Sequence, residues 1–455
     1  MITLTSTVMT TSNPRTSSLI ATKTTGDGSL RVTHHAARFV CIVLASILGA
    51  CSSGGQSSAP VTPISDASLP SPELVAVPQT APSAPLLQKA HLTYAGAFRM
   101  PAYTFAAESP SIAGAALAFD PTRGSLFATG PVRGAQTTME ISVPMPGTAS
   151  TPDGLPRATL LQAAVDPTEG LLATVLPVGS DPSYAVIGGH LVSDGRLLVS
   201  GYNFYDATNS QVVSHFSRPA TLSTRGNVNG PVRVGLAQYA RWVAGYMGHV
   251  PSEWQAALGG KALTGLAGIS ITNASSVGPS AWVFDPAALS NAPTAEATML
   301  VGYSIDTPLG PGHLTQNPQW NATSSVRGVV FPQGTRSVLF LGRHGQGPVC
   351  YGTAEACGNP DSIYKGYHAY PYVFQVWAYD ASDLAAVRRG TKAASAVVPY
   401  SIWTFELPFG RAGSERHLLG AAYDPATRRL FVSQYCGEAD CSPLIHVFNV
   451  AQPAS

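Results

Sequence analysis

The amino-acid sequence predicts an all-β domain assembled from repeated four-stranded units, an expectation that rests on three features. Glycine (44) and proline (37) make up about 18% of the 455 residues, against a usual ~12%, which means many turns and few long helices. Hairpins of one form recur along the chain, each an apolar strand, a polar turn and a second apolar strand. The last unit lacks a fourth strand, and a matching segment stands at the other end of the repeat region. Only 11% of residues are charged, with Lys+Arg 26 against Asp+Glu 25. That excludes a solvated disordered chain, a coiled coil and a protein that tracks nucleic-acid phosphates.

The clearest hairpins are residues 112–130, turning at Asp120-Pro121, and 418–434, turning at Asp424-Pro425. Degenerate copies run over 186–202 through Asp194-Gly195 and over 327–342 through Gln333-Gly334, and a weaker one spans 266–285. Third strands are expected at 139–143, 212–216, 282–285, 374–380 and 445–450, and fourth strands at 158–164, 232–236, 298–303 and 400–407. Asp120, Asp166, Asp285 and Asp424 precede proline and Asp194 precedes glycine, so all five are expected to form turns. Marker glycines Gly114, Gly188, Gly268, Gly328 and Gly420 recur every ~77 residues, beyond the ~40 to 50 of WD40 or kelch repeats.

Radially repeated units of this kind resemble a β-propeller. The resemblance covers about 360 residues and implies five blades, with six as the alternative because 161–178 holds a further Asp166-Pro167 turn. Segment 92–101 has the form of 401–408, so the N-terminal strand is expected to complete the last blade and remove the open edges of the ring.

The chain before the repeats carries an address. Arg31, His34, His35 and Arg38 precede an apolar run, 39–50, too short to span a bilayer and of the length of a signal-peptide core. It ends in Leu48-Gly49-Ala50-Cys51, which resembles the lipobox of bacterial lipoproteins. That resemblance implies cleavage before Cys51 and its lipidation, and Ser52 after it implies an outer-membrane or cell-surface location facing the periplasm or exterior. Residues 1–50 are therefore expected to be a signal peptide, 51–88 the lipidated cysteine with a Ser/Pro-rich tether, and 89–455 the propeller.

Of six cysteines, Cys350, Cys357, Cys436 and Cys441 then remain in the folded part. Three pairings exist, and the short spacings favour Cys350 with Cys357 and Cys436 with Cys441 over a four-thiolate zinc site.

Excess chain is expected at 236–263, 303–325 and 343–371, all on one face, with 236–263 helical and a second short helix opening at Pro251 and stopping at Gly259-Gly260. Loops on a rigid scaffold carry binding and catalysis. In 343–371, Arg343, His344, Tyr351, His368 and Tyr370 offer ring faces and hydrogen-bond donors that suit a glycan or a protein ligand. Glu355, Asp361, Glu438 and Asp440, in the disulfide loops, are expected to be solvated.

No cofactor is expected, and a loop-held calcium stays open without a ligand signature. Nucleic acid is not an expected partner, the membrane is met only through the lipid, and a monomer is expected. Propeller glycoside hydrolases need two carboxylates about 5 to 9.5 Å apart, and none of the expected innermost strands begins with one. The alternative to a binding protein is a polysaccharide lyase, more than a hydrolase, using Arg327, His344, His368, His417 and Tyr370.

Overall fold

The computed structural model describes residues 82–102, 116–129, 136–268, 271, 274–360, 362, 364–410 and 416–453. The signal segment, Cys51, most of the tether and the marker Gly114 lie outside them. The fold is a five-bladed β-propeller. The chain enters through β1 (Leu92–Arg99) and then builds blade one from β2 (Leu117–Asp120), β3 (Ser125–Thr129), β4 (Thr138–Ser142) and β5 (Leu160–Val165). Blade two is β6 (Ala185–Ser193), β7 (Arg196–Asn203), β8 (His215–Pro219) and β9 (Asn229–Val234). Blade three begins with β10 (Met247–His249), β11 (Ala262–Thr264) and β12 (Ala281–Phe284). A two-residue β13 (Thr294–Ala295) then pairs parallel to β9 before β14 (Ala297–Val301) completes blade three. Blade four is β15 (Ser325–Val330), β16 (Ser337–Gly345), β19 (Tyr372–Asp380) and β20 (Ser401–Phe405), with a separate hairpin of β17 (Cys350–Thr353) and β18 (Lys365–His368) between its second and third strands. Blade five is β21 (Leu418–Asp424), β22 (Arg429–Gln434) and β23 (Leu444–Val450), completed by β1.

The closure is the one expected from the segment match. β1 pairs antiparallel with β23 from Leu92 opposite Val450 to Arg99 opposite Leu444. No sixth blade forms at 161–178, because the chain after Asp166 turns into a short 3₁₀ helix, Leu172–Val175, that buries Leu172 and Val175 between blades one and two.

The turn chemistry explains the hairpins. Asp120, Asp166, Asp285 and Asp424 each accept a hydrogen bond from the backbone N–H two residues on, at 2.8 to 3.0 Å. Asp194 and Gly195 both have positive φ, 50° and 72°, the geometry whose twist matches a two-residue β-hairpin.

Each radial sheet has two faces to cover, and the core is accordingly five wedges, one between each pair of neighbouring blades. The largest joins blades three and four around Trp254, Trp320, Trp377 and Tyr379. Paired polar side chains cross between blades: His190 meets the hydroxyls of Thr129 and Thr138 at 2.8 Å each, and His215 meets Thr264 at 3.2 Å.

The marker glycines are where innermost strands meet. A Cβ on Gly188 would lie 2.1 Å from the Ala244 carbonyl oxygen, one on Gly328 2.4 Å from the Ala421 Cβ, and one on Gly420 2.8 Å from the Leu117 Cβ. In blade three the innermost strand makes this contact through Gly248, 2.5 Å from the Val329 carbonyl oxygen, while the expected marker Gly268 closes on Ser324 and Ser325 at the start of blade four from outside that strand. The weak hairpin expected over 266–285 is corrected with it: the innermost strand of blade three is β10, inside the stretch read as a helical insertion. The apolar residues at helical spacing there, Trp242, Val243, Tyr246 and Met247, belong to a run buried without a break from 240 to 247. A helix would present one buried stripe, and Gly245 and Gly248 disfavour it further. Only the second helix forms, as α1 (Ser252–Leu258), ending at Gly259 with φ 81°.

Ordered contact with the ring begins before β1. Leu87 is fully buried between blades four and five, its N–H donates to Ser337 Oγ (2.8 Å) and its carbonyl accepts from the Tyr400 hydroxyl (2.6 Å).

Candidate functional site

Four of the five turns between first and second strands are tight. The second-to-third and fourth-to-first connections, which emerge at the other face, hold most of the irregular chain, including 301–325 and 345–372. Blades three and four depart from this: α1 lies in the β10–β11 connection, and α2 (Ala381–Arg388) lies between β19 and β20, so both helices stand on the turn face and pack together there. The excess at 236–263 is therefore shared between the two faces.

The most elaborate excursion on the loop-rich face is that of blade four. Its base is held by its neighbour: Asn321 Nδ2 donates to the Gly345 carbonyl and Gln316 Nε2 to the Gln346 carbonyl, both at 2.7 Å. Beyond this brace the β17–β18 hairpin pairs Cys350 with His368 and Tyr351 with Tyr367. The Cys350–Cys357 disulfide closes it. Cys436 and Cys441 form the second expected bridge, buried with Leu419 and Tyr435 in the β22–β23 connection. Both cysteine pairs are thus covalent, and no zinc site forms from them. Glu438 in that connection, expected to be solvated, is buried and ion-paired with Arg99.

The five residues singled out from the sequence divide by what they touch. Tyr351 is displayed, 64% exposed, with its ring edge-on to Tyr367 at 4.9 Å. Arg343 lies over the Tyr372 ring at 4.4 Å, and its Nη1 donates to His417 Nε2 at 2.5 Å. His344 is buried against Ser324 Oγ (2.8 Å), and burial pushes its imidazole down to about 4, so it is neutral at pH 7. His368 is buried too: Asn359 Nδ2 donates to its Nδ1 (2.9 Å) and its Nε2 meets the Tyr364 carbonyl (3.1 Å). Tyr370 is half-buried, ahead of Pro371.

Tyr364, 47% exposed, and Tyr367 join Tyr351 on this hairpin, and neither was singled out from the sequence. Their signal was the strand pattern around Lys365-Gly366, visible only once that stretch is paired with 350–353. Elsewhere on the face, Arg327 donates to the Tyr202 hydroxyl at 3.3 Å.

His368→Ala tests the division of roles. Removing both ring contacts costs about 1–3 kcal/mol, so the urea midpoint is expected to fall, while Tyr351→Ala leaves it unchanged. Equal midpoints for the two variants would place His368 outside the loop's internal network.

No protein-family model and no curated protein matches this sequence. Solved structures with a similar fold include an arabinanase of Bacillus subtilis, 9% identical over 78% of this chain and 96% of that one, with a TM-score of 0.40. An endo-arabinanase from Bacillus licheniformis is 12% identical over 76% and 96%, with a TM-score of 0.36. A luciferin-regenerating enzyme is 8% identical over 74% and 91%, with a TM-score of 0.33. Likeness this distant describes shape and says nothing of what this chain does.

Proposed function

We propose that this protein is a lipid-anchored propeller, displayed beyond a bacterial membrane, that binds a glycan through its loop-rich face. The observation that carries the reading is the disulfide-closed β17–β18 hairpin, which holds Tyr351 and Tyr364 outward on a braced base. Sugar C–H faces stack on tyrosine rings while the hydroxyl rim takes hydrogen bonds. A cross-linked, pre-formed platform loses little entropy on binding.

Glycan-array binding of the full chain carrying Cys51→Ser is the test. Tyr351→Ala with Tyr364→Ala is expected to weaken any hit by about fivefold or more, at ~0.5–1.5 kcal/mol per ring contact. Glycan binding that survives both substitutions, or the absence of any hit beside capture of a protein ligand, would overturn the glycan reading. The anchor has its own test: Cys51→Ser is expected to abolish lipid labelling, and a variant still labelled with palmitate contradicts the lipobox.

The lyase alternative rests on the Arg343–His417 contact, a cation beside an imidazole as base or charge neutraliser. It predicts unsaturated products from a uronate-containing glycan, lost in His417→Ala. His344, on β16, is engaged by Ser324, and His368 by Asn359 and the Tyr364 carbonyl, which favours binding over that chemistry.

A further inference from the structure

The propeller axis holds a concave feature at the end opposite the loop-rich face. All five innermost strands line one cavity of about 300 Å³. Its rim consists of exposed residues from the first-to-second strand connections: Pro121, Ser252, Gln333 and Pro425. Its walls include Phe119, Leu191, Met247, Val329, Phe331 and Ala421. The lining reaches inward as far as Leu117, His190, Met247, Val329 and Ala421, beside the backbones that the marker-glycine contacts bring together.

No Asp, Glu, Lys or Arg lines it. An ion entering such a place would be desolvated without a partner, so the cavity selects against charge. Among the polar residues of the lining, His249 is exposed and has its Nε2 against the Val192 carbonyl at 2.9 Å, which fixes Nε2 as the donor and leaves Nδ1 as an acceptor. The volume is about twice that of the ~150 Å³ apolar void that takes one benzene ring.

We infer that the turn-face end of the propeller axis is a binding site for an uncharged, largely apolar molecule of about two rings, held by the apolar wall and offered one acceptor by His249. This site is independent of the glycan reading and lies at the other end of the axis.

The probe is N-phenyl-1-naphthylamine, a neutral aromatic amine with a single N–H donor, titrated into the full chain carrying Cys51→Ser so that no lipid competes for it. The expected result is saturable fluorescence enhancement at one site per chain and a probe-dependent rise in Tm. Gln333→Trp and Ser252→Trp, at exposed rim positions, are expected to weaken binding at least tenfold, and Tyr351→Ala to leave it intact. The inference is overturned if no saturable site exists, if both rim variants bind like the parent, or if only Tyr351→Ala loses the probe, which would place binding on the loop-rich tyrosines. Should a tryptophan variant fail to melt cooperatively, hydrogen exchange in the parent decides. Protection of 247–252 and 329–333 by the probe supports the site, and protection confined to 350–368 overturns it.

Discussion

A chain that starts at residue 102 is expected to lose cooperative folding altogether, while one that starts at residue 82 melts as the full chain does. The first deletion removes β1, whose pairing with β23 spans Leu92 to Arg99 and closes blade five. It also removes Phe98 and Met100, buried at 0% and 1% between blades five and one. Burial of each such side chain stabilises by about 1.5–3 kcal/mol, and losing several exceeds the margin of a typical domain. The exposed edge of β23 would then be an open template for aggregation. A chain starting at residue 89 is the intermediate case. It keeps β1 but loses Leu87 and its bonds to Ser337 and Tyr400, so its urea midpoint is expected to fall measurably. Equal thermal stability of the chains starting at 82 and 102 would rule out closure by the N-terminal strand.

Acid is expected to destabilise the ring well before its surface carboxylates protonate. Burial pushes His190, His215 and His446 down to about 3 and His344 to about 4, whereas the unfolded chain titrates near the ordinary ~6.5. Between those limits the unfolded state binds protons that the native state refuses. Stability is therefore fully present above pH ~6.5 and falls as the pH drops below it, by up to ~1.4 kcal/mol per histidine per pH unit. The check is the urea midpoint from pH 7.5 to 4.5, expected to be level at first and then to drop steeply. His446→Gln, which removes one buried imidazole bonded to Gln434 and Tyr94, is expected to flatten the drop. A midpoint that holds level from pH 6.5 to 4.5 would mean that these imidazoles accept protons inside the fold.

The repeat was legible in the sequence because its signals are local. An Asp-Pro or Asp-Gly turn between two apolar runs specifies a hairpin through its own backbone bonds, and Asp120, Asp194 and Asp424 form those turns in the structure. The two disulfides were legible for the same reason, since each closes a short loop. Blade three was not. Its innermost strand has three residues, β10, and its partner β11 follows after a helix, so no turn signal joins them. What fixes β10 is the approach of Gly248 to Val329 in blade four, a contact 81 residues away in the chain.

For the candidate site the division falls in the same place. Residue type alone brought Arg343, His344, Tyr351, His368 and Tyr370 together as ring faces and donors on one blade, but the loop expected from 343 begins later, because Arg343 and His344 are paired in β16 and only the other three stand in the excursion after it. Whether each faces solvent or its own loop depends on partners that only the folded chain supplies. His368 turns inward because Asn359 and the Tyr364 carbonyl satisfy both ring nitrogens, and Tyr351 stays outside because its strand partner Tyr367 covers only one edge of its ring. The axial cavity was wholly a decision of tertiary structure: its lining comes from five strands spread between Leu117 and Pro425, and no local stretch of sequence carries the signal of a void that only the closed ring encloses.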